Sequence, residues 1–209
     1  MVLYRKANLR ELPQITKICT QAYQDYPLFH ILSSEFKSKN QYIKFLASLE
    51  RIYAKTFIKR KFCLVGVEEQ QIISVAMLQT PSTKPAGILE YLINGGLSVF
   101  KYANLRLVKA FLDLIEQTEA ARVKIVEPDW YLANLVVNPK VQGKHLGSDM
   151  LQSCVLPFVK KNRGKILTFN TNTEQNSKFY HKNDFIEFDH RILTWREQKL
   201  ENWSFVMYL

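Results

Sequence analysis

The chain reads as a single α+β domain built around a mixed sheet. Three observations predict this. Its 209 residues, 47% of them hydrophobic and 23% charged, suffice for one sizeable core and show ordinary globular usage. Short apolar runs of strand character stand both before and after a central strand–loop–helix unit at residues 129–162. No repeat, low-complexity tract or convincing linker divides the chain.

"VLYRKAN" alternates in part and predicts a first strand, after which Asn8 caps a helix through "LRELPQITKICTQAYQDY". Leu12, Ile15, Ile18, Cys19 and Ala22 fall on one face of it. Proline is best tolerated in a first helical turn, so Pro13 moves the regular helix slightly past Asn8. "YPLFHIL" reads as irregular, and "KNQYIKFLASLERIYAKTFIKR" as a longer amphipathic helix with Tyr42, Phe45, Leu46, Leu49, Ile52 and Tyr53 as its apolar stripe.

"KFCLVGVEE" and "QIISVAMLQT", parted by a polar tip, predict an antiparallel hairpin. "PSTKPAG" is a loop, and residues 88–123 form two helices broken near Asn94-Gly95-Gly96, a lid or wall over a cleft. "DWYLANLVV" is a strand and "SDMLQSCVLPFVKKN" a helix that Pro157 should bend or shorten. "KILTFNT" (strand), "EQNSKFYHKN" (short helix), "FIEFDHRILTW" and "NWSFVMYL" (strands) complete the order.

Composition narrows the function classes. No window approaches the apolar length of a membrane span. The N-terminus lacks a secretory apolar region, and Val2 stands where N-myristoylation needs glycine, so a cytoplasmic protein with no membrane attachment is expected. Cys19, Cys63 and Cys154 are far apart and odd in number, which argues for buried thiols in a reducing compartment. The four histidines have no ligand-like spacing, so no metal is expected. The formal charge of +10 suits a polyanion, whether nucleic acid, acidic membrane or phosphorylated cofactor, and equally a solvated basic surface. No reader motif or aromatic–basic interleaving supports nucleic acid, which is not expected as a partner.

The loop in "VVNPKVQGKHLGSDML" lies between a strand end and a helix start, where free backbone N–H groups and the helix dipole suit phosphate. Gly143 and Gly147 allow close approach, Ser148 can bond an oxygen, and Lys144 supplies charge. The Walker loop and the dinucleotide fingerprint are both absent.

This stretch resembles the acetyl-CoA loop of the GNAT superfamily of N-acetyltransferases, V-x-P-x-x-[QR]-G-x-G-x-G-[SA]-x-L-L. Val137, Pro139, Gln142, Gly143, Gly147, Ser148 and Leu151 match, and His145 stands where the family usually has glycine. "TEQNSKFYHKNDFIEF" is similar to the family's later motif, N-x-x-F-Y-x-K-x-G-F, through Asn176, Phe179, Tyr180, Lys182 and Phe185, with Asp184 in the glycine slot. The resemblance covers about residues 126–190, in the family's order and spacing.

It implies a three-layer α/β/α, GNAT-type fold over residues 1–209, its mixed, mostly antiparallel sheet of about six to seven strands containing a splayed pair. It also implies direct acetyl transfer from acetyl-CoA to a primary amine, a small molecule before a protein. Leu135, Val136 and Val137 would pair with the pantetheine amides, and a backbone N–H near Val136 or Val137 would polarise the thioester carbonyl. Gln142, Gly143, Lys144, His145, Leu146, Gly147 and Ser148 would hold the pyrophosphate, Asn176 and Lys182 would assist, and Tyr180 would protonate the departing thiolate. For a general base, Asp129, Glu90 and a water chain all stay open. The alternative is a catalytically weak CoA-binding sensor or interaction module, suggested by His145 and Asp184. The oligomeric state is not written in the sequence, a homodimer being compatible with it.

Overall fold

Asn8 turns the chain from its first strand into its first helix. The computed structural model describes residues 1–80, 88–125 and 130–209. Strand β1 (Leu3–Lys6) precedes Asn8, whose side chain accepts from the Arg10 N–H at 3.0 Å while the Glu11 carboxylate accepts from the Asn8 N–H at 2.8 Å. This reciprocal cap opens one 3-10 turn, Leu9–Glu11. Helix α1 (Leu12–Tyr23) follows with Pro13 in its first turn, so the delayed start is observed. The stretch 26–32 is less irregular than expected: it contains a one-turn helix, α2 (Pro27–His30), because Pro27 has no N–H to lose at a helix start.

Ser38 caps the long helix α3 (Lys39–Lys59) by accepting from the Gln41 N–H at 3.2 Å. The hairpin β2 (Cys63–Glu68) and β3 (Gln71–Gln79) follows. Helix α4 (Ile88–Ile93), a 3-10 stretch Gly96–Lys101 and α5 (Leu105–Glu119) follow, broken where Gly95 takes φ +111°. The expected loop over 81–87 lies outside the described residues.

Strand β4 (Trp130–Val137) leads through the loop into α6 (Leu146–Met150), a π-helical turn (Leu151–Val155) and α7 (Leu156–Lys161). The π turn is how the chain absorbs Pro157. That residue cannot donate to the carbonyl four residues back, and it falls in the first turn of α7, where no such bond is needed. β5 (Ile166–Thr171), α8 (Glu174–His181), β6 (Ile186–Trp195) and β7 (Gln198–Tyr208) complete the fold.

Among the described residues, seven strands form one sheet in the order β1-β2-β3-β4-β5-β7-β6, with every pair antiparallel except β4 and β5. Period-2 alternation gives each sheet face its own layer. Val75 and Met77 of β3 meet Ile15, Cys19, Ala54 and Phe57 of α1 and α3. Ala76 and Leu78 belong to the opposite cluster with Met150, Leu151, Val155 and Val159. The three-layer mixed sheet is therefore observed, with seven strands. All three cysteines are free and buried. No helix among the described residues is long and apolar enough to cross a membrane.

Candidate active site

Strands β4 and β5 touch at one end only. Their register comprises Trp130 with Leu167 and Tyr131 with Thr168, and the Thr168 hydroxyl donates to the Trp130 carbonyl at 3.2 Å. Beyond Tyr131, β4 keeps its antiparallel partner β3 through Val137, while β5 turns to β7 through Thr171. The edge of β4 over residues 132–137, including Leu135, Val136 and Val137, is thus unpaired by strand on its β5 side among the described residues.

At the end of that edge the chain enters the loop. The Gln142 side-chain amide donates to the Val137 carbonyl at 3.1 Å, tying loop to strand. Gly143 takes φ +82° and His145 φ +58°, ψ +8°, both left-handed. The family's glycine at the His145 position is explained by this backbone, and histidine enters it at modest cost. The first backbone bond into the helix is donated by Asp149 to the His145 carbonyl at 3.0 Å. Among the described residues, the N–H groups of 142–148 have no backbone acceptor. Gln142, Gly143, Lys144 and His145 are exposed, and Leu146, Gly147 and Ser148 half-buried. An open strand edge leading to unpaired N–H donors at a helix start fits an extended, amide-bearing chain that ends in phosphates.

The second motif reaches the first directly. A β-carbon on Gly147 would meet Phe179 Cζ at 3.1 Å and Val137 Cγ2 at 3.7 Å. One residue on, Tyr180 is buried among Phe169 (ring centroids 4.0 Å apart), Phe185 (5.7 Å) and Phe205 (5.8 Å). Burial, helped by the nearby Tyr26 phenol, holds the Tyr180 phenol well above its ordinary pKa, so it stays protonated. Asp184 takes φ +66° where the family has glycine, and the Phe185 N–H returns to the Tyr180 carbonyl at 3.2 Å, ending α8 in a left-handed cap. Lys182 is exposed one turn beyond Phe179.

Asn176 lies near the N-terminus of α8. Its side-chain amide donates to the Thr171 hydroxyl at 3.1 Å, inside a polar network at the open end of β5. There the Tyr26 hydroxyl bonds the Thr171 hydroxyl at 3.0 Å and accepts from the Asn172 N–H at 2.7 Å. Asn170 and Asn172 both donate to the Asn202 side-chain oxygen, at 3.0 and 3.1 Å, and the Tyr131 phenol bonds Asn170. On the opposite side the Tyr23 phenol donates to Asn134 of β4 at 2.9 Å. Tyr23, Tyr26 and Phe29 pack as one aromatic wall, with centroids 5.1–6.5 Å apart.

Of the two carboxylates weighed from sequence, one is engaged in an ion pair. Glu90 is ion-paired with Arg60, whose Nε donates at 2.8 Å, and that partner holds its carboxyl below the usual range. Asp129 lies outside the described residues. Two others come closer to the tyrosines. Glu119 is raised by burial, an effect reduced by Arg122 at 3.5 Å, and Arg122 in turn stacks 4.4 Å over the Tyr131 ring. Glu50 of α3 is 3% exposed, and burial pushes its carboxyl up to about 8. The sequence carried a signal for Glu50: it falls four residues after Leu46 and four before Ala54, on the apolar stripe. The run "LTFNTN" likewise held a period-2 polar set, Thr168, Asn170 and Asn172, aimed inward.

A mixed sheet opened between its two parallel strands, with a donor-rich loop at the opening, is a GNAT-type fold. Residues 108–187 match the family model described as Acetyltransferase (GNAT) domain. Solved structures agree on the fold. A mutant agmatine N-acetyltransferase in its apo form superposes with TM-score 0.71 at 13% identity, covering 100% of this chain and 99% of that one. The polyamine N-acetyltransferase of Drosophila melanogaster gives 0.67 at 13%, covering 100% of both chains. An N-acetyltransferase from Staphylococcus aureus Mu50 gives 0.59 at 14%, covering 100% and 98%. No curated relative matches the sequence significantly.

Proposed function

We propose that this protein transfers an acetyl group from acetyl-CoA directly to a primary amine, a small molecule before a protein. The observation that carries the reading is the divergence of β4 and β5 beyond Tyr131, with the open loop at one end of the gap and Tyr180 beside it. Acetyl-CoA would supply an activated thioester. Leu135, Val136 and Val137 would offer it backbone groups along an edge, as in strand addition, and a backbone N–H there would stabilise the developing oxyanion. Gln142 to Ser148 would take the pyrophosphate through N–H groups, and Lys144 and Lys182 would add charge. Asn176 would act mainly by fixing the Thr171–Tyr26 contact at the cleft end.

Tyr180 would give its proton to the leaving thiolate. Its raised pKa keeps the donor loaded but makes the transfer uphill, so the donation fits the moment when a full thiolate forms. Agmatine and polyamines are named for two proteins of this fold, which supports an aliphatic amine as the acceptor class. The sensor alternative was motivated by His145 and Asp184 in glycine slots. Both residues adopt the left-handed backbone that glycine favours, which supports retention of the loop geometry.

The test is release of free CoA thiol from acetyl-CoA over a panel of primary amines at neutral pH. Amine-dependent release supports the reading, and release no faster with any amine than without would end it.

A further inference from the structure

We propose that Glu50 is the acceptor-site carboxylate of this enzyme, the group that receives the positive charge of a cationic amine. The inference rests on the acetyltransferase reading and names the acceptor class within it.

Glu50 lies on the face of α3 that packs into the protein, at 3% exposure, and its Oε2 is buried without a hydrogen-bond partner. A carboxyl so placed lowers stability and returns no structural contact of its own. The groups it acts on electrostatically are Cys19 and Tyr23 of α1 and Tyr42 at the start of α3. Among the described residues these are all weak acids, with no lysine or arginine to neutralise it. An opposite charge is what the site lacks.

Tyr23, which feels the charge of Glu50 and bonds Asn134 of β4, would link the carboxylate to the cleft. Its ring is half-buried in the wall with Tyr26 and Phe29, and its phenol holds Asn134 on the unpaired stretch of β4. Aromatic faces stabilise an ammonium on its way to a carboxylate. The chain's overall charge of +10 disfavours cations at long range, so the local carboxylate and aromatic wall would have to select them at contact. With its carboxyl raised to about 8, Glu50 is mostly protonated at pH 7 in the free protein. Docking of an ammonium favours the ionised form, so the carboxyl proton passes to solvent as the amine binds.

The experiment is calorimetric titration of 1,4-diaminobutane and of butylamine, with neutral aniline as control, in two pH 7 buffers of different ionisation enthalpy. Wild type should bind the two cationic amines, release close to one proton for each bound, and bind aniline at least 10-fold more weakly. Glu50→Gln should bind the cationic amines at least 10-fold more weakly, without proton release, and keep its affinity for acetyl-CoA. Equal amine affinity in Glu50→Gln, or cation binding by wild type without proton release, overturns the proposal, as does the absence of cation binding. The wild-type proton count needs no variant and stands even if Glu50→Gln folds poorly. Acetyl transfer with an unchanged amine KM in Glu50→Gln would remove this inference and leave the function. Proton-linked amine binding without transfer would do the reverse.

Discussion

Gly147 and Phe179 meet face to face, so closely that a methyl group on Gly147 would lie 3.1 Å from Phe179 Cζ. The contact joins the helix start after the loop to the helix that carries Tyr180, so the donor loop and the proposed acid are held in one register. Gly147→Ala should force that ring aside by a few tenths of an ångström. We expect acetyl-CoA affinity to fall by roughly 10-fold, about 1.4 kcal/mol, in a calorimetric titration. Unchanged affinity would mean that the contact is slack.

Tyr180→Phe removes a hydroxyl that has no hydrogen-bond partner among the described residues and leaves the ring among Phe169, Phe185 and Phe205. Thermal unfolding should shift little. The turnover number with a saturating amine should fall by ~10², with the KM for acetyl-CoA near its wild-type value. A wild-type turnover number would remove Tyr180 as the acid.

His145→Gly relieves the left-handed strain at φ +58° and restores the family's residue. Relief of roughly 1 kcal/mol is opposed by the extra freedom of the unfolded chain, so stability should change by less than that. Acetyl-CoA binding should hold or tighten. Loss of binding would show instead that the imidazole itself contacts the ligand.

Burial of Glu50 makes stability depend on pH. Its folded pKa of about 8 exceeds the ordinary 4.5, so the folded protein binds more protons than the unfolded chain between those values. Stability contributed by this group is therefore present below pH 4.5 and lost as pH rises through about 8. The loss is on the order of 5 kcal/mol at full development. Denaturant midpoints measured from pH 5 to pH 9 should fall more steeply for wild type than for Glu50→Gln. Parallel curves would place the carboxyl in water.

Much of the frame was legible because it is written in local periodicity. The Asn8 start with its Pro13 delay, the α3 stripe and the hairpin at 63–79 depend on residues close in sequence. The loop and α8 were legible through their motifs, down to the two glycine slots now seen to be left-handed at His145 and Asp184. The cleft interior was not. Tyr26 bonds Thr171 and Asn172 across 145 and 146 positions, and Tyr23 reaches Asn134 across 111. Such pairs have no local signature. Glu90 drew attention by its position in the wall, but only the fold reveals that Arg60 neutralises it. Glu50 was hidden for the opposite reason, as a charged residue inside a stripe read for its apolar members.

The most direct test of the central claim is a mass balance. Acetyl-CoA labelled with carbon-13 in its acetyl group is incubated with the protein and a cationic primary amine, and both products are quantified by mass spectrometry. Labelled N-acetylamine and free CoA should accumulate one for one, at a rate that Tyr180→Phe lowers about 100-fold. Free CoA that accumulates without labelled amide, or no CoA release above the protein-free rate, would contradict it.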